Sequence, residues 1–349
     1  MVNPFRFGQT VEGDDFCNRG RELEEVKKSI SNHYSIWIVS PRGFGKTSLI
    51  FKAFHELKGI KTIYINLYSV QSLSDFTEKY FQVIFKNFFE LKKGIKSITE
   101  KSGIENILEI PEKIASEKDI NICIAFDEFQ EVNRIDPFLI NRMRSAFQNH
   151  RHISYVFLGS KQSLMETIFA DSNSPFYEFG RKISIDKIER SDWEQFLKEK
   201  FKRTGLNIAE STIEAIIDKS GGHPHFTQYF ASMAWELLLE GIDDKEPQFT
   251  ETWMNRIVAG QSILFQNMFD QFNQNQRKVL TAIASLKPGE QLFSEESRKQ
   301  FQLPTTSTVS VTIHSLLKKE LIYKQNGNYF IANPVLKEWL IQYSKGKMI

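Results

Sequence analysis

Ser40-Pro41-Arg42-Gly43-Phe44-Gly45-Lys46-Thr47 matches the spacing G-x-x-x-x-G-K-[ST], with Ser40 where the first glycine would stand. The run follows an apolar strand-like stretch and opens a helix-like one, Ser48–Leu57. Residues of these types in this order are suited to holding phosphate. Backbone N–H groups around Gly43–Thr47 can turn inward onto an anion, and the start of the following helix adds a partial positive charge. Lys46 would bridge the β- and γ-phosphate oxygens of a nucleotide, and the Thr47 hydroxyl would bind Mg2+. Gly45 leaves room for close backbone approach.

A second constellation is Ile122-Cys123-Ile124-Ala125-Phe126-Asp127-Glu128, an apolar run ending in two acids. A buried strand tip is a costly place for paired carboxylates unless a cation or a reaction needs them. Asp127 is positioned to hold Mg2+ through water, and Glu128 to orient and deprotonate an attacking water. Such strands are common on their own; coming about eighty residues after the phosphate loop, this one is specific. A glutamate here favours hydrolysis over binding alone.

These residues need elements to position them. Ser35–Ser40, Thr62–Leu67, Asn121–Asp127, Ser154–Gly159 and Lys182–Ile185 read as five strands. Their near-continuous apolar character fits a parallel sheet covered on both faces. Between them run amphipathic helices such as Leu73–Leu91, where Phe76, Tyr80, Val83, Ile84 and Phe88 recur three or four apart. The chain carries 30 Phe, and core packing is their ordinary use. The fold expected for residues 1–189 is a three-layer αβα domain with a five-stranded parallel sheet.

From residue 190 the pattern becomes helical. Ser191 with Glu194 three residues on resembles a capped start, and Gly221-Gly222-His223-Pro224 breaks the chain before a helix at Phe226–Glu240. Residues 190–246 read as a helical subdomain ending in a polar linker, Gly241–Pro247, and residues 247–273 as a connecting helix. Residues 274–349 show a helix (Gln274–Ser285), a turn at Lys287-Pro288-Gly289, a short helix (Ser294–Phe301) and a longer one from Thr306. Two short strands, Leu321–Lys324 and Tyr329–Ile331, flank Gln325-Asn326-Gly327-Asn328, a hairpin signal. Three helices and a hairpin make a winged helix-turn-helix.

Composition narrows the class. Hydrophobic and charged contents of 41% and 25% are ordinary for a globular chain. Net charge is +2, but residues 274–349 hold 11 Lys/Arg against 5 Asp/Glu, a surplus of six that leaves the preceding residues at −4. A basic tail is compatible with a nucleic-acid contact or with a solvated basic surface. Cys17 and Cys123 have neither disulfide-framework nor metal spacing, and no apolar run approaches the ~20 residues of a membrane span. His150, His152 and His314 also lack metal-ligand spacing. The expectation is a cytoplasmic protein without membrane contact.

The loop Pro41-Arg42-Gly43-Phe44-Gly45-Lys46-Thr47-Ser48-Leu49 resembles the P-R-x-x-G-K-T-S-L loop of the archaeal-type P-loop ATPases, a STAND- and AAA+-related branch. Phe16-Cys17-Asn18-Arg19-Gly20-Arg21-Glu22-Leu23 is similar to that group's F-x-x-R-x-x-E-L entry motif. Gly159-Ser160, Gly180-Arg181 and Gly221-Gly222-His223-Pro224 correspond further along, so the resemblance spans nearly the whole chain. It implies an AAA+-like core, a helical lid, a C-terminal winged helix, and ATP with Mg2+ as ligands. The absence of an N-K-x-D run agrees with adenine.

The resemblance also implies residue roles. Val11 to Gly13 would make backbone contacts beside adenine, with Arg19 holding the turn. Ser160 would be the γ-phosphate sensor at the fourth strand's tip. Arg181 would contact a γ-phosphate of its own or a neighbouring subunit, or else pair on the surface with an acid such as Glu178 or Asp186. In Gly-Gly-His-Pro, His223 beside Pro224 either touches the nucleotide or is a packed residue. In the winged helix, the helix from Thr306 offers Thr306, Ser307, Ser310, His314 and Lys318, with Lys324, Lys345 and Lys347 beyond. That face suits phosphate contacts on double-stranded DNA with weak sequence specificity. The other reading is a module that packs on the ATPase, or serves as a contact in a homo-oligomer or for another partner. Three functions fit: an ATP-hydrolysing switch, a non-catalytic ATP-gated adaptor, and a DNA-binding regulator or loader controlled by ATP.

Overall fold

Strand β3, Asn121–Asp127, shows how the sheet is made. Side chains alternate along a strand, so Ile122, Ile124 and Phe126 enter one core while Cys123 and Ala125 enter the other. Burial on both faces is what the unbroken apolar run requires. In the computed structural model, which describes residues 1–88, 103–287, 289–325 and 327–346, five parallel strands are ordered β2-β3-β4-β1-β5. The remaining four are β1 Ile36–Val39, β2 Ile60–Asn66, β4 Ile153–Gly159 and β5 Arg181–Ser184. Leu91, Pro288, Asn326 and Lys347, named above, lie outside the described residues.

Within the sheet-bearing unit the buried phenylalanines concentrate on one face. Phe126 lies 5.9 Å from Phe157, 6.2 Å from Tyr80 and 6.0 Å from Phe147, with nearly parallel or slightly tilted rings. Aromatic pairs of this kind add about 0.5–1.5 kcal/mol each beyond area burial. The other face is aliphatic: Leu23, Val26 and Ile30 of the helix Gly20–Ser31 and Leu49, Ile50 and Ala53 of the helix Lys46–Glu56 cover Ile36, Ile38, Val156 and Leu158. Cys17 and Cys123 are free and buried.

This sheet belongs to a unit of Arg6–Asp192 with His223–His225; a second unit takes Met1–Phe5, Trp193–Gly222 and the chain from Phe226 on. Among its described residues the second unit is helical apart from one hairpin. The helix Arg190–Arg203 starts at Arg190, so Ser191 lies inside its first turn instead of capping it. The segment Gly241–Pro247 is no loose linker. Asp244 is buried, its Oδ2 accepts from Ala209 N at 2.5 Å, and its carbonyl accepts from Thr212 Oγ1 at 3.3 Å.

The winged helix has helices Gln274–Ser285, Glu295–Gln300 and Thr306–Lys318, then β6 Ile322–Gln325 and β7 Asn328–Ile331 paired antiparallel. Asn273, Ser294 and Thr305 cap the three helices with their side chains. A further helix, Pro334–Ser344, follows. Asn333 Oδ1 accepts from Val335 N and Leu336 N at 2.9 and 3.2 Å, and Pro334 occupies the first turn, where a missing N–H costs nothing. Trp339 from this helix is fully buried, packs on Phe265 and Phe269 of the long helix Phe249–Asp270, and donates its Nε1–H to Ser262 Oγ at 3.2 Å. No helix among the described residues is long and apolar enough to cross a membrane.

Candidate active site

All five strands run the same way, so the loops after β1, β3 and β4 gather at one edge. Ser40 N donates to the Gly159 carbonyl at 3.4 Å, joining the phosphate loop to the tip of β4. Gly43 and Gly45 have φ of 79° and 86°, left-handed values that side chains disfavour, and the helix opens at Lys46. The Lys46 ammonium folds beneath the loop, 2.7 Å from the Ser40 carbonyl and 3.2 Å from that of Pro41. Ser48 Oγ accepts from Val11 N at 3.1 Å, which brings the N-terminal segment against the same helix end. Gly13 opens a single 3-10 turn, Gly13–Asp15. Arg19 is buried; it donates to the Phe44 carbonyl at 3.1 Å and the Asp186 carbonyl at 2.7 Å, and pairs with Glu22 at 3.0 Å. Arg19 thus ties the phosphate loop to the segment that follows β5.

Parity on β3 carries Asp127 to the face of Cys123 and Ala125, the side of the helix that begins at Lys46. Its Oδ2 accepts from Thr47 Oγ1 at 2.9 Å and from Tyr64 OH at 2.5 Å; its Oδ1 accepts from Glu128 N at 2.8 Å. Thr47 and Asp127 are hard oxygen donors side by side at a phosphate loop. Among the described residues no group of three or more His, Cys, Asp or Glu would hold a metal unaided. A cation here must complete its shell with phosphate oxygens and water, and that donor set fits Mg2+.

Glu128 has φ 54°, a left-handed turn off the strand end. Its Oε2 accepts from Ser160 Oγ at 2.9 Å and from Gln130 Nε2. Gln130 in turn contacts both Ser160 Oγ and, through its Oε1, Ser160 N. The tips of β3 and β4 are therefore joined by a three-residue polar network. A Cβ at Gly159 would meet the Met165 thioether and the Gln130 amide, so both side chains would have to give way there.

His223 is buried against the loop. Its ring lies 4.6 Å from Phe44, edge on, and its Nε2–H donates to the Arg42 carbonyl at 3.2 Å. Burial, then the neighbouring His225, pushes its pKa down to about 3, so it is the neutral imidazole. A Cβ on Gly43 would come within 2.7 Å of His223 Cε1 and 3.1 Å of His225 Cβ. His223 thus packs on Phe44 and hydrogen-bonds the loop backbone. Pro224 opens the helix Pro224–Leu239. His225 Nδ1 accepts from Gly8 N at 3.2 Å.

Lys46, Thr47, Asp127, Glu128 and Ser160 are brought together, with Pro41, Arg42, Phe44 and Ser48 around them. Arg181 is not. It begins β5 opposite Ile36, whereas the phosphate loop follows Val39, so three residues at about 3.3 Å each separate it from the phosphate edge. It is exposed and pairs at 2.7 Å with Glu25, not with Glu178 or Asp186. A role at the γ-phosphate of its own chain is corrected by this register. Tyr64, Gln130 and His225 are site residues that the motifs did not indicate; only strand parity placed Tyr64 on the face of Asp127.

Residues 16–229 match the family model described as an ATPase domain predominantly from Archaea, and residues 263–342 match a probable winged helix domain. No curated protein matches the sequence. Among solved structures, the Walker-type ATPase PABY2304 of Pyrococcus abyssi superposes with a TM-score of 0.74 at 17% identity, covering 97% of this chain and 99% of its own. The Aeropyrum pernix ORC2 protein, in ADPNP–ADP complexes, gives 0.61 at 13% identity over 99% of both chains. The ORC1 protein of the same organism, in complex with DNA, gives 0.54 at 12% identity over 95% of this chain and 94% of its own. At these identities the likeness is one of fold.

Proposed function

The chain belongs to the family of ATPase domains found predominantly in Archaea, and from that membership we propose that it is a cytoplasmic, ATP-hydrolysing molecular switch whose nucleotide state is passed to a C-terminal winged helix. The observation that carries the reading is the linked set Thr47–Asp127–Glu128–Ser160 at the mouth of a glycine-rich loop. Lys46 leaves the Ser40 and Pro41 carbonyls to meet the β- and γ-phosphate oxygens. Glu128 accepts a proton from the attacking water, and Ser160, bonded to Glu128, relates that carboxylate to the γ-phosphate position. Mg2+, when bound beside Thr47 and Asp127, would offset phosphate charge. His223 lies on the loop and in the segment leading into the helix Pro224–Leu239, which gives nucleotide state a covalent route to the helical part.

Phosphate release from the purified chain with ATP and Mg2+ tests the reading. Turnover should be lost in Lys46→Ala and Glu128→Gln, with Glu128→Gln still binding ATP. Tight binding without turnover in the wild type would turn the reading to an ATP-gated adaptor, and no binding would end it.

Contact with duplex DNA is a second proposal, supported by the exposed Thr306, Ser307, Ser310, His314 and Lys318 on the helix Thr306–Lys318 and by the basic balance of the tail. Binding should weaken steeply with salt as counterions are released; a salt-independent or absent shift refutes it. Assembly into homo-oligomers is proposed as the way an exposed Arg181 could reach a γ-phosphate, that of a second copy.

A further inference from the structure

Strand β2 is parallel to β3 with Tyr64 opposite Ala125 and Asn66 opposite Asp127. Tyr64 packs in the same aliphatic core as Cys123 and Ala125, so its ring and the Asp127 carboxylate share a face one diagonal step apart. Phe51, from the helix that the phosphate loop opens, lies 4.8 Å from the Tyr64 ring and fixes its tilt. The phenol then meets Asp127 Oδ2 at 2.5 Å, the same oxygen that accepts from Thr47.

We propose that Tyr64 is a positioning residue for the cation site: its hydroxyl locks the Asp127 carboxylate in the rotamer that faces Thr47. The proposal rests on the reading of Thr47 and Asp127 as the Mg2+ side of a nucleotide site. Both carboxylate oxygens are committed by it, Oδ1 to the Glu128 N–H and Oδ2 to two hydroxyls. Asp127 so held cannot rotate away from Thr47 and keeps acceptor capacity on Oδ1 beyond its bond to Glu128 N, which suits support of a hydrated cation through water. As an O–H facing a carboxylate oxygen, the phenol is the donor. Hydrogen-bond partners behind a metal-facing carboxylate orient it, and their loss commonly weakens metal binding ten- to a hundredfold.

The test uses the full chain, wild type and Tyr64→Phe, with a fluorescent ribose-labelled ADP titrated at fixed Mg2+ and then with Mg2+ varied. Tyr64→Phe keeps the ring against Phe51 and removes only the hydroxyl. The expected result is unchanged ADP affinity without Mg2+, and a half-saturating Mg2+ concentration about tenfold higher in the variant. An unchanged or lowered half-saturating concentration overturns the proposal. Loss of Mg2+-free binding or of the melting transition assigns Tyr64 to packing and also overturns it. If the wild type shows ADP binding with no Mg2+ dependence, the cation-site reading itself fails first.

Discussion

Ser160 Oγ donates to Glu128 Oε2 at 2.9 Å, so the residue proposed to sense phosphate holds the residue proposed to activate water. The two stand on adjacent strands, and neither can shift without changing the other's hydrogen bonds. Ser160→Ala should therefore lower kcat by about tenfold, less than the roughly 10²–10⁴-fold of removing an acid–base group itself, because Ser160 only orients Glu128. ATP affinity should stay within about twofold, as equilibrium binding and single-turnover phosphate release would show. A larger loss of affinity than of turnover would contradict this arrangement.

Gly43 carries two separate constraints, a φ of 79° and a histidine ring where a Cβ would go. Gly43→Ala should destabilise the fold by about 1–3 kcal/mol through backbone strain and the clash, and should abolish nucleotide binding by deforming the loop. Adding His223→Ala relieves only the clash, so the double variant should regain part of the melting temperature lost and little of the nucleotide affinity.

His223 makes a pH signature. Its folded value near 3 lies below the unfolded value of about 6.5, so between these limits the unfolded chain binds the extra proton. Stability from this residue is present above about pH 6.5 and falls as pH drops, by up to about 1.4 kcal/mol per pH unit. Denaturant unfolding of wild type and His223→Gln from pH 7 to 5 should differ in slope by that amount. The half-buried His150 remains in both chains and cancels, whereas His225, which faces His223, contributes to the difference.

Arg181 sits at the far edge of the sheet in an exposed pair with Glu25. Arg181→Ala should leave ATP affinity of the single chain unchanged and alter stability by less than about 1 kcal/mol. Any loss of turnover should grow with protein concentration, since only a second copy could then supply or need the guanidinium.

Contiguity decided what could be read in advance. The phosphate loop and the Asp127-Glu128 pair are runs of neighbours, and their chemistry needs only that a strand precede them. The parallel sheet followed from apolar runs too continuous to have a wet face. Arg181 depended on register: a shift of three residues along β5 moves it from one edge of the sheet to the other, and composition is blind to that. Tyr64 and Gln130 reach Asp127 and Ser160 across strands, through the parity of β2 and the turn after β3. The helix Pro334–Ser344 was legible in Asn333-Pro334, a capping side chain followed by a fixed φ, though three helices and a hairpin already complete a winged helix without it.

The long helix Phe249–Asp270 lends Ser262, Phe265 and Phe269 to the burial of Trp339. The winged helix is consequently not a detachable bead hung on the end of a string. A recombination event that carried it into another gene with a breakpoint near residue 273 would leave its indole without a floor. The family match that begins at residue 263, inside the helix, takes in Phe265 and Phe269 together with the wing that rests on them.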